Sequence, residues 1–154
     1  MSPLLAFALV VGIAASAQDL HRRQISNWIC LAALAGGLAL HINGAGWRGL
    51  ADSALGAAGG FGVFLLFYLL GGMGGGDVKL MAGFGAVLGT GRLLEATLIT
   101  SLCGGVMALL WILASRLRRA LQARAGHPLS QASESIPYAP AISIGVWLTL
   151  LART

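Results

Sequence analysis

Acidic side chains are almost missing from this sequence: Asp19, Asp52, Asp77, Glu95 and Glu134 are the whole set. With charged residues at 10% and hydrophobic ones at 57% of 154 residues, too little polar surface exists to cover a soluble domain of this length. Cysteine is equally scarce. Cys30 and Cys103 stand alone in apolar stretches without CxxC spacing, which argues against a zinc site or a disulfide framework and leaves both as packing residues. No metal and no cofactor is expected. Basic residues outnumber acids, for a net charge of +5, but no patch interleaves them with aromatics, so no nucleic-acid partner is indicated. In so apolar a chain the surplus sets orientation in a lipid bilayer.

What the sequence has is long apolar runs. Six can be placed, each near the ~20 residues a bilayer requires although several are short. They run over Pro3 to Gln18, Trp28 to Ile42, Leu50 to Leu70, Val78 to Thr90, Leu93 to Ser115 and Pro137 to Leu151. The connections DLHRRQISN, NGAGWRG, GGMGGGD, GTGR and RLRRALQARAGHPLSQASES are too short for a second domain. The expected fold is all-α, a polytopic membrane protein with about six transmembrane helices forming a single domain over residues 1–154. Ala15-Ser16-Ala17 has the look of a signal-peptide cleavage site. No Lys or Arg precedes the first apolar run, however, and Arg22 and Arg23 follow it, so that segment is expected to stay.

Orientation follows from the bases. Arg22, Arg23, Lys79, Arg116, Arg118, Arg119 and Arg124 fall in the odd-numbered connections, against Arg48, Arg92 and Arg153 on the other side. The richer side is expected in the cytoplasm and both termini outside it. Trp28, Trp47, Trp111 and Trp147 lie near segment ends, where interfacial aromatics belong. Gly56/Gly60 and Gly85/Gly89 have the GxxxG spacing of close helix contacts.

The five acids can be sorted individually. Asp52 and Glu95 are expected in the first turns of helices, meeting the positive dipole end and capping free amides. Glu134 belongs to a polar loop. Asp19 closes the first apolar segment and Asp77 opens the fourth, so the topology puts both at the cytoplasmic edge. A cap for Asp77 and an arginine partner for Asp19 would explain each singly. Two ionisable groups at one membrane depth, one of them beside a glycine run, point instead to function. Gly74, Gly75 and Gly76 carry no side chains, so another backbone can approach them.

Gly74-Gly75-Gly76-Asp77 is a GxGD motif, continued by Val78-Lys79-Leu80, and the chain resembles the type IV prepilin peptidases, membrane-embedded aspartic proteases. The stretch Asp19 to Asn27, DLHRRQISN, resembles the family's other signature, an aspartate followed by bases and an Ile-Pro-Asn triplet. Ile136-Pro137-Tyr138-Ala139-Pro140 looks like the opening of its last helix. Two departures stand out. Ser26 replaces the family proline, which is expected to loosen the turn after Asp19. The few residues between Asp19 and the second segment also leave no room for the zinc-binding CxxC insert that supports N-methylation in larger members, so the resemblance is to the small Flp, or tight-adherence, type.

The resemblance implies Asp19 and Asp77 as catalytic residues, with Gly74, Gly75, Gly76, Lys79 and Asn27 binding substrate. Two carboxylates suit peptide hydrolysis, since one ionised group draws a proton from water while the other, protonated, donates to the carbonyl oxygen. Like charges at short range hold one proton back, and the pair titrates as a unit. The implied partner is a prepilin or pseudopilin with a short basic leader ahead of an apolar helix. The sequence sets no oligomeric state. Other classes are an ion-coupled transporter subunit using both aspartates, and a non-catalytic pilus assembly subunit. A transporter site is usually at the bilayer midplane in repeated halves, and neither condition is met here.

Overall fold

The computed structural model describes residues 2–124 and 138–152, with the backbone alone over 119–124. Glu134, Ile136, Pro137 and Arg153, and the side chains of Arg119 and Arg124, lie outside the described residues. Among those described, the chain is all-helical, with five helices: α1 (Pro3–Arg22), α2 (Asn27–Leu69), α3 (Gly75–Leu88), α4 (Thr90–Arg124) and α5 (Ala139–Leu151). Three of them, α1, α2 and α4 over Thr90–Arg118, are long and apolar enough to cross a membrane.

The expected six helices are not confirmed as such: five elements are described, because the second and third apolar segments join into one 43-residue element whose two arms meet at a break. NGAGWRG contains no proline to end a helix, so helical backbone runs into it from both sides. The break is confined to Ala45 and Gly46, the latter at φ 57° and ψ −138°, a conformation open essentially to glycine. There the chain turns back. Gly83 packs on Ala33 and Gly37 on Ala86 and Val87, so the first arm of α2 runs with α3; Gly56 packs on Gly85 and Gly60 on Met81, so the second arm runs against it.

Small residues set these distances. A Cβ on Gly60 would sit 2.7 Å from the Met81 carbonyl oxygen, and one on Gly56 would strike the Gly85 carbonyl. The expected close contacts at Gly56/Gly60 and Gly85/Gly89 are thus real. Phe64, Leu80, Met81, Phe84 and Ile142 fill the core around them, each at most 2% exposed. On the far side α5 packs against α1 and α4.

Three other expectations change. Glu95 is not in a first turn, because α4 starts at Thr90 rather than Leu93 and no acid stands in its first turn. Asp52 does cap, but across the bundle: its carboxylate accepts from the Thr90 amide at 3.1 Å and from the Thr90 hydroxyl, closing the N-terminus of α4 instead of its own helix. Trp28 and Trp47 are exposed, as interfacial residues would be, whereas Trp147 packs inward and donates to the Ala8 carbonyl at 2.9 Å over the space left by Gly12.

Candidate functional site

Asp19 and Asp77 arrive at one place from opposite helix ends. Asp19 is in the last turn of α1, where a carboxylate faces the unfavourable, negative end of its own helix dipole. The compensation is remote in sequence: its Oδ2 accepts from the backbone amide of Ala139, at 3.0 Å, in the first turn of α5. Asp77 is the third residue of α3 and its Oδ2 reaches back to the amide of Gly74, the N-cap, at 3.2 Å. The capping role weighed for Asp77 is therefore present. Each aspartate is 7% exposed.

Both line a cavity of about 330 Å³. Its walls include every residue singled out in the sequence, Asp19, Asp77, Gly74, Gly75, Gly76, Lys79 and Asn27, together with Arg23, Gln24 and Ile25. The Lys79 ammonium donates to Asn27 Oδ1 at 3.0 Å, tying the starts of α2 and α3 together at this cavity. Asp77 stands outside the three membrane spans, ahead of the apolar run from Val78. Burial first, then the negative charge of Asp19, push its carboxyl up to about 7, against the opposing pull of the Gly74 amide. Tyr138, just before α5, is raised in the same way, by burial and then by the Asp77 charge.

The turn between α1 and α2 is not loosened by Ser26. Its φ of −64° is one that proline would share, and its amide, which proline lacks, donates to Gln18 Oε1 while its hydroxyl accepts from Trp28. Cys30 is buried, with its sulfur 3.9 Å from the Gly76 carbonyl oxygen, and Cys103 is half-buried.

The sequence profile of the type IV leader peptidase family matches residues 6–109, a span that contains both aspartates and the glycine run. The chain belongs to that family. Curated relatives agree. The prepilin leader peptidase/N-methyltransferase of Aeromonas hydrophila is 35% identical over 140 residues, covering 86% of this chain and 43% of that protein. The protein of the same description from Aeromonas salmonicida (strain A449) is 34% identical with the same coverage. The chain thus spans less than half the length of the curated relatives it matches. No solved structure matches it significantly.

The parts of this candidate site that side chains do not announce are backbone contacts. The Ala139 amide has no side-chain signature, though Pro140 within the first turn of α5 marks a helix start and hence unpaired amides nearby.

Proposed function

We propose that this protein is an intramembrane-type aspartic endopeptidase that removes the short basic leader of prepilin-like substrates at the cytoplasmic boundary of the bacterial inner membrane. The observation that carries the reading is the shared cavity, with two buried carboxylates against three consecutive glycines. The Aeromonas relatives, both described as prepilin leader peptidases, support the substrate class.

Asp77, with its carboxyl pushed up to about 7, serves as the acid and donates to the scissile carbonyl oxygen. Asp19, held by the Ala139 amide, serves as the base and takes a proton from the attacking water. Water oxygen bonds to the carbonyl carbon, the C–N bond breaks, and the proton balance closes through the same two groups. Gly74, Gly75 and Gly76 let an extended substrate backbone lie beside the pair, while Lys79 and Asn27 offer polar groups to it. Only four residues, 23–26, join α1 to α2, so the activity is leader removal without methyl transfer, in the manner of the Flp type. The whole of residues 1–154 acts as one membrane domain with both termini away from the cytoplasm.

Co-expression with a leader-bearing pilin precursor tests the reading. The precursor should gain gel mobility by the mass of its leader, and an intact precursor beside well-inserted enzyme would refute the peptidase.

A further inference from the structure

A second cavity adjoins the first and is opposite in character. It encloses about 160 Å³ between the end of α2, the middle of α4 and the start of α5. Phe64, Phe67, Met73 and Ile142 line it, with Gly104 and Gly105 of α4. Two covalent links join it to the carboxylates. Gly72 and Met73 line this cleft while the next residues, Gly74 to Gly76, line the polar cavity. Tyr138 lines the cleft while the amide of the next residue, Ala139, holds Asp19.

A chain lying across Gly74 to Gly76 would therefore pass directly from a polar, charged site into an apolar one. That is the order of polarity in a substrate whose basic leader is followed by a membrane helix. The volume is well below the roughly 300–1,000 Å³ of pockets for drug-sized ligands, and suits one large side chain rather than a whole helix. Thr100, 3% exposed, also lines the cleft, with its hydroxyl turned toward Gly145 of α5. We propose that this cleft seats one large apolar side chain from the first turn of the substrate's membrane helix, just beyond the bond cut between Asp19 and Asp77. The inference rests on the peptidase reading. Selectivity for the residue beyond the scissile bond would then come from α4 and Tyr138, and not from the residues around the carboxylates.

Gly105 allows a test, because a Cβ added there meets nothing within 4 Å. Two synthetic peptides serve as probes, each with a lysine-bearing leader, the glycine after which the family resemblance implies the cut, and an apolar helix of about 20 residues. They differ in having Phe or Ala directly after the glycine. The protein in lipid vesicles should cleave the Phe peptide with about tenfold higher kcat/KM, and Gly105→Leu, by filling the cleft, should abolish that preference. Gly62→Leu, at another open glycine that lines neither cavity, should keep the preference. A Gly105→Leu enzyme that still prefers Phe overturns the proposal. A second measurement does not depend on cleavage: p-benzoylphenylalanine at Ser101, in the Asp77→Asn background, should photo-crosslink to the first helical turn of the Phe peptide. Crosslinks to lipid alone, to a second copy of the chain or to the leader would overturn it. If the unmutated protein cleaves neither peptide but the helix crosslink forms, the peptidase reading fails and the cleft assignment stands.

Discussion

The Ala139 amide donates to Asp19 across 120 residues of sequence, at 3.0 Å and in a buried setting. Through that bond α5 reaches the candidate site although it lies beyond the residues that the family profile matches. A hydrogen bond to a charged group contributes about 1.5–3 kcal/mol, so replacing Ala139 by lactic acid, which turns the amide into an ester and removes only the N–H, should lower kcat about 10- to 100-fold. Single-turnover kinetics in vesicles would measure it. An unchanged kcat would mean that Asp19 is positioned by other contacts.

Asp19→Asn and Asp77→Asn are nearly isosteric and should leave the protein inserted and folded. Groups acting as a unit lose nearly all activity when either is removed, so each single variant should fall by roughly 10⁴ or more and the double variant by little beyond that. Independent, multiplying losses would point away from a dyad. Leader removal by a well-folded Asp77→Asn variant would favour the assembly-subunit or transporter reading.

The two aspartates are legible in the sequence because acids are so few that each can be asked for its purpose, and because a GxGD run marks one of them. Four of the helices are legible from apolar runs alone. The reversal inside α2 falls within the connection NGAGWRG, but its shortness is not legible, because NGAG looks like a loop and yet only Ala45 and Gly46 leave helical backbone. Trp147 misleads for a related reason. Its position near a segment end suggests an interface, but Gly12 on α1 leaves a ring-sized space, and only tertiary packing reveals it. Nor can the sequence show that Ser26 keeps its turn firm, since its partner Gln18 lies eight residues away across a helix end.

Asp77 gives a pH prediction whose sign can be worked out. Its carboxyl is raised from an ordinary 3.8 to about 7, chiefly by burial, so the folded state retains a proton that the unfolded state gives up as pH climbs between those values. Folding stability should therefore fall over that window, by about 4 kcal/mol at most, and Asp77→Asn should escape this loss. Thermal unfolding in detergent at pH 4 and pH 8 would show the variant gaining on the natural protein only at the higher pH. Cleavage by the natural protein should decline as pH rises through about 7, when the acid is lost.

The loop charges predict a topology. A reporter fused within Arg116 to Arg124 should read cytoplasmic and one at Thr154 periplasmic. The reverse pattern would carry both aspartates to the other face and make a cytoplasmic leader unreachable.

Three glycines separate space from backbone conformation as the reason for having no side chain. Gly44 has open surroundings and lies in helical backbone, so Gly44→Ala should stabilise by about 0.5–1 kcal/mol. Gly46 has equally open surroundings but sits at φ 57° and ψ −138°, so Gly46→Ala should cost about 1–3 kcal/mol through strain at the reversal. Gly85 is the opposite case, helical but pressed on the second arm of α2, where a Cβ would lie 2.9 Å from the Gly56 carbonyl carbon. Gly85→Ala should therefore cost about 1–3 kcal/mol through overpacking, with Gly56→Ala no remedy because both backbones would then need to part. Thermal unfolding of the three alanine variants would rank them, Gly44→Ala above the natural protein and the other two below. Equal losses at Gly44 and Gly46 would mean that α2 does not reverse at Gly46, and with that the two arms could not lie on α3 in opposite directions.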